Sequence, residues 1–292
     1  MRFFLTALVM MMSVSALALA NLPVVRFQVE SEAGLAVAET CSEVWQKEGN
    51  RISADLVPAG ASLDTITCLV LNTESFNRNF AGRLPDWGVA VAMPGGRFIA
   101  LDYARLPAVG RGAREVFLHE MVHALLFQVA GEIWLPTWFH EGCAMYFSGE
   151  WRFYDTVSLV LDGQVPSLDH LQGHFPTPAG LADRAYRTSL LAVNRLRDQY
   201  GPGTVGEILA ATRTTGAFSI AFKDVTGVGL GEFTSDFASA MNLRLGWAIM
   251  LTRWPTLFVL MSLIFAVGAA RKMINTRRRL AEMDEEENQF LE

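Results

Sequence analysis

His119, Glu120 and His123 stand in the order HExxH, and a second acid, Glu141, follows inside Trp138-Phe139-His140-Glu141-Gly142-Cys143-Ala144. Two imidazoles and a carboxylate are the ligand types of a hydrolytic zinc site, which takes three protein ligands and keeps one position for water. Chance composition places an HExxH in roughly one chain in a hundred of this length, so the motif needs support from its surroundings. Val116, Phe117, Met121, Val122, Leu125, Leu126 and Val129 recur at helical spacing, which predicts a helix from about Gly112 to Ala130, stopped by Gly131. On that helix His119 and His123 lie one turn apart, about 6 Å along the axis, and face one ion. Glu120 is turned about 100° from His119, off the ligand face but within reach of the attacking water. Glu141 is the candidate third ligand. A loop with Gly131 and Pro136 can bring its helix, Trp138 to about Phe147, back across the first, with Gly142 and Ala144 small enough for close packing.

HExxH followed by Pro-x-Trp-x-x-Glu-Gly-x-Ala resembles the gluzincin metallopeptidases, and most of all their small peptidase MA-like branch. The resemblance covers roughly residues 23 to 240. It implies zinc held by His119, His123 and Glu141, with Glu120 as general base. It further implies that one strand of an early hairpin edges the cleft, where an extended peptide adds by main-chain hydrogen bonds. Tyr146 matches an aromatic of the aminopeptidase version of the Glu141 helix. Tyr186 stands where the aminopeptidases carry an oxyanion-binding tyrosine. A core aromatic is the alternative for Tyr186, and His140 is a second candidate for the oxyanion. Two departures are plain. No Gly-Ala-Met-Glu-Asn segment precedes the helix, and no Asp lies four residues after Glu141 to orient a ligand histidine.

The elements that must position these residues form an α+β arrangement: a small N-terminal mixed sheet with the HExxH helix, then a helical C-terminal lobe, the gluzincin type of catalytic domain. Strands are expected at Val24 to Val29 and Thr65 to Leu71, with a further one near Ile52 to Val57. A helix is expected from Ala33 to Lys47. Gly88 to Met93 and Arg97 to Leu101 around Pro94-Gly95-Gly96 read as a β-hairpin. Helices follow at Leu181 to Gln199, Val205 to Thr212, Phe218 to Val225 and Gly231 to Asn242. Cys41 on its helix and Cys68 on its strand are either bridged or two separately buried thiols, and Cys143 reads as a small core residue. His170 and His174 lack an accompanying acid, and Gly173 and Pro176 break their helix, so they read as solvated loop residues.

The chain ends are apolar, which accounts for most of a mean hydropathy of +0.25. Residues 1–20 read as a secretory signal closing on Ala18-Leu19-Ala20, leaving 21–241 as the catalytic domain. Residues 247–270 read as a transmembrane helix, and the basic cluster from Arg271 to Arg279 opens a cytoplasmic tail, 271–292. That arrangement puts the catalytic domain outside the cytoplasm, periplasmic in a bacterium. A net charge of -6, with no basic patch on the domain, argues against nucleic acid as a partner. The expected partners are a peptide or protein substrate and the membrane. The sequence therefore reads as a membrane-anchored zinc metallopeptidase acting on exported or envelope proteins or peptides, as an endopeptidase. A second reading is a membrane-tethered peptide-binding or assembly protein with a non-catalytic zinc site; the presence of Glu120 argues against it.

Overall fold

Val25 and Phe27 alternate with exposed residues along β1 (Val25–Val29), and Ile66, Cys68 and Val70 alternate with half-buried ones along β2 (Ile66–Leu71). Alternation of this kind buries one face of a sheet against helices. In the computed structural model, which describes residues 22–82, 84, 88–109, 112–150, 166–176, 178–252 and 254–289, these strands join two others. They are β3 (Ala90–Ala92) and β4 (Phe98–Asp102), and the four-stranded sheet has the order β1-β2-β4-β3. β1, β2 and β4 are mutually parallel, while β3 pairs antiparallel with β4 and forms an edge.

The crossover from β1 to β2 is α1 (Leu35–Leu56). Its buried residues Ala38, Cys41, Trp45, Gly49, Ile52 and Leu56 recur every three or four positions, so a single helical face runs to its end. The strand expected near Ile52 to Val57 is therefore the last turn of α1. Between β2 and β3 lies α2 (Thr73–Phe80), which the apolar pattern does not announce. Its signal is local, because the Asn72 side chain accepts the Ser75 amide at 2.9 Å and caps the first turn.

The centre of the fold is α3 (Ala113–Ala130), with α4 (Thr137–Ser148) crossing it. The helical lobe follows as α5 (Ala179–Tyr200), α6 (Thr204–Thr215), α7 (Phe218–Thr226) and α8 (Leu230–Thr252). Two glycines set the distances between these layers. Gly96, at φ +68° in the β3–β4 turn, lies so close to α3 that a Cβ there would sit 2.1 Å from the Ala124 carbonyl oxygen. Gln128 of α3 donates to the Gly96 carbonyl at 2.8 Å and holds the turn down. A Cβ on Gly142 would sit 2.3 Å from the Ser189 carbonyl oxygen, so α4 rests directly on α5 immediately behind Glu141.

Two expectations are corrected here. Among the described residues no helix is long and apolar enough to cross a membrane, which overturns the transmembrane helix over 247–270. The single-pass placement falls with it, both the catalytic domain outside and the cytoplasmic tail. Arg253 and Arg271 bound the uncharged stretch between them. α8 ends at Thr252, and α9 (Trp254–Gln289) continues as helix through Arg271 and Lys272 into the acidic tail. The uncharged stretch 254–270 rises only about 26 Å as a helix, against about 30 Å of hydrocarbon, and opens on Trp-Pro-Thr. The second correction concerns the bridged option for Cys41 and Cys68. Both are fully buried free thiols, and burial pushes the Cys41 thiol up to about 12. The signal segment 1–20 lies outside the described residues.

Candidate metal centre and cleft

α3 carries His119, Glu120 and His123, each less than a tenth exposed, and α4 carries Glu141 across from them. One turn of helix separates the two imidazoles, and the crossing of α4 brings the carboxylate between them. Glu141 Oε2 lies 3.4 Å from His119 Nε2 and 3.3 Å from His123 Nε2. The ligand atoms of the three residues all fall within 4.8 Å of one another, so the group could hold a metal ion. A tetrahedral ion with bonds of about 2.0–2.1 Å needs donors about 3.4 Å apart, which these separations match. Burial would raise the Glu141 carboxyl, but His123 and His119 together hold it well below the usual carboxylate range. Glu141 Oε2 has no hydrogen-bond partner among the described residues. A buried, ionised oxygen facing two imidazole nitrogens suits a cation between them.

His119 has a support that the sequence reading missed. Its Nδ1 lies 2.7 Å from Glu150 Oε1, and that carboxylate also accepts the Ser148 hydroxyl at 3.2 Å. A carboxylate on Nδ1 fixes the tautomer that leaves Nε2 as the metal-facing lone pair. Burial disfavours a charged His119 ring, but Glu150 and Glu141 outweigh it and hold its pKa well above the ordinary value. The absent Asp four residues after Glu141 is thus replaced from outside the helix. Gly149, at φ +75°, ends α4 in the left-handed region and turns the chain back so that Glu150 reaches α3. A helix-ending glycine followed by an acid is the signal available in the sequence. Glu150→Ala is expected to weaken metal affinity by about 10- to 100-fold with the ligands intact. Chelator competition reads this directly, and an unchanged affinity would remove Glu150 from the site.

Glu120 is not in the ligand group. Burial raises its carboxyl, against the lowering influence of His123 and His119, and the Ala92 amide faces it from β3. The two main-chain rows of β3 have different partners. Asp102 N donates to Val89 O and Met93 N to Phe98 O, both at 2.8 Å, so the odd residues are turned toward β4. By antiparallel alternation the main-chain groups of Ala90 and Ala92 face away from β4, into the cleft.

That cleft is a cavity of about 620 Å³, whose lining includes Gly88 to Ala92, the metal group, Glu120 and Tyr186 of α5. Of the two hairpin strands, β3 is the one at the sheet edge and along the cavity. Tyr186 is half-buried, packed edge-on against Phe175 with ring centroids 5.0 Å apart. His140 stacks on His123 at 4.5 Å and 15°, and burial, with His123 adding to it, pushes its pKa down to about 3, which keeps the ring neutral. His140 lines the cavity without joining the ligand group. Tyr146 lies instead beneath the Arg197 guanidinium, 4.7 Å from its ring centroid. Cys143 is buried, and His170 and His174 are exposed.

Fold and site together define a mixed α/β protein with a buried His-His-Glu group able to hold a metal ion. No family model matches the chain. It is similar to a protein named Uncharacterized protein YhcO of Bacillus subtilis (strain 168), 26% identical over 132 residues. The match takes in 42% of this chain and 40% of that protein, so the chain spans less than half the length of the relative it matches.

Proposed function

We propose that residues 21–241 form a zinc-dependent metallopeptidase of the gluzincin type that cuts within peptide chains. The observation that carries this reading is the position of Glu120: a buried carboxylate beside the His119, His123 and Glu141 group, outside its ligand set, in the lining of a cavity. A site that only held metal would have no use for an acid there. Two imidazoles and a carboxylate favour zinc among the divalent ions, and zinc so held supplies polarisation of the scissile carbonyl and activation of water.

The chain's own residues perform the remaining steps. The outward main-chain groups of Ala90 pair with an extended substrate and lay its scissile bond over Glu120, which the Ala92 amide faces. As water adds to the carbonyl, Glu120 takes its proton and delivers it to the departing amine when the C–N bond breaks. The hydroxyl of Tyr186, a residue of the cavity lining, donates a hydrogen bond to the oxyanion. Endopeptidase action is supported by the lack of a Gly-Ala-Met-Glu-Asn segment before α3, and of the acids that could replace it two are engaged elsewhere. Glu74 is paired with Arg78 on the surface, Asp102 is wholly buried, and Asp86 lies outside the described residues. Asp183, which does line the cavity, is paired with Arg187 at 2.6 Å.

The test is a diverse peptide library incubated with the zinc-loaded chain, with and without chelator. Cleavage abolished by chelator and restored by zinc is expected, and an N-acetylated peptide should be cut as well as its free-amine twin. Absence of cleavage by the zinc-loaded protein would overturn the peptidase reading, and loss on acetylation would overturn the endopeptidase half.

A further inference from the structure

The wall of the cleft that would receive substrate is an edge strand of three residues, and an edge so short has few bonds of its own to fix its height. Its entry is secured from the far side. Asp102, the last residue of β4, is wholly buried. Its Oδ1 accepts the Thr73 hydroxyl at 2.9 Å and the amides of Ala104 and Arg105 at 3.2 Å. Oδ2 accepts Arg105 Nε at 2.6 Å. The same guanidinium donates through Nη2 to the carbonyl of Gly88 at 2.8 Å, and its face lies over the Phe76 ring at 5.7 Å. Gly88 lines the cavity wall two positions before Ala90.

A rigid fork is needed for this arrangement. One prong must meet a carboxylate inside the protein while another meets a main-chain carbonyl on the rim, and the ring of Phe76 holds the plane between them. A lysine has one point charge and can satisfy Asp102 or Gly88, not both in this geometry. The main chain of Asp102 adds a second hold, through its amide on Val89 O. The end of β4 therefore anchors β3 twice, once by its backbone and once through Arg105.

We propose that Arg105 is a positioning residue of the cleft: by tying Gly88 to Asp102 it sets the height of Ala90 and Ala92 above Glu120, and so governs how tightly an extended substrate pairs with the rim. The bonds from Arg105 to Asp102 and Gly88 lie apart from the ligand group, so loss of the Gly88 tie is expected to fall on substrate binding and not on metal. The kinetic side of this inference rests on the peptidase reading, and the exchange side does not.

The variant to make in the full chain is Arg105→Lys, which leaves a cation beside the buried Asp102 and removes the hold on Gly88. Hydrogen exchange should quicken about tenfold at the β3 amides bonded to β4 and stay unchanged along α3, the loss of one charge-assisted bond. With an N-acetylated peptide substrate, KM should rise about tenfold while kcat stays within about threefold and zinc content is unaltered. Unchanged exchange at β3 would overturn the inference whatever the activity, as would equal loss of kcat and of metal. Should the wild-type chain cleave no peptide, the peptidase reading falls and the exchange measurement still decides the tether. If Arg105→Lys does not fold, Asp102→Asn, which keeps the shape and weakens the grip on Arg105, is expected to move exchange and KM in the same directions; no movement there would equally overturn it.

Discussion

Glu120→Gln is expected to slow peptide hydrolysis by about 100- to 10,000-fold while metal content and fold stay as they are. The amide has the shape of the acid and can still hydrogen-bond the attacking water, but it cannot take the proton. Metal should be retained because the ligand group comprises His119, His123 and Glu141 without Glu120. The sign of the stability change also follows. In the metal-free chain folding raises the Glu120 carboxyl by burying it, so above the unfolded pKa of an ordinary glutamate the ionised group costs folding free energy that a neutral amide does not. With metal removed, the variant should therefore melt no lower than wild type at neutral pH. Activity, metal analysis and thermal melting on one preparation read all three consequences. Full activity would remove Glu120 from the mechanism, and loss of metal would make it a ligand.

What could be read in the sequence divides along physical lines. α3 and α4 were legible because their side-chain periodicity and the chemistry of HExxH and Glu141 coincide on neighbouring stretches, and local spacing alone sets which face each residue takes. The β3–β4 hairpin was legible from its Pro-Gly-Gly turn. Misreadings came where a local pattern has two physical readings. Ile52 to Val57 is a short apolar run that suits a strand, but Trp45, Gly49, Ile52 and Leu56 extend the buried face of α1. The apolar run after Arg253 suits a membrane span until its length between two arginines is set against the thickness to be crossed. Glu150 and Arg105 were not legible for a different reason. Each acts through a partner that only the tertiary fold supplies, His119 across from the end of α4 and the Gly88 carbonyl across from the end of β4. Cys41 and Cys68 show the limit from the other side: a helix on a sheet brings two cysteines into one core, and both remain thiols.

His123→Ala is expected to reduce bound metal from about one ion per chain to a trace, and to abolish both hydrolysis and the response of the protein to chelator. His123 Nε2 is one of the two nitrogens flanking Glu141 Oε2, at 3.3 Å, and no other imidazole is placed to replace it. His140 is the near alternative in space, stacked on His123 at 4.5 Å, yet it stands outside the ligand group. Removing His123 leaves a histidine and a carboxylate facing each other, too few donors for a site that needs three. Stability gives an independent reading of the same event. An ion that binds the folded chain alone stabilises it by about 4 kcal/mol at a thousandfold excess over its dissociation constant. Wild-type protein should therefore melt at distinctly higher temperature with zinc than with chelator, and His123→Ala should melt at one temperature in both. His140→Ala serves as the control, since it removes the stacked ring and keeps all three donors. It should retain metal and the chelator-dependent melting shift. Undiminished metal in His123→Ala, or loss of metal in His140→Ala alone, would show that the ligand set has been assigned to the wrong side chains.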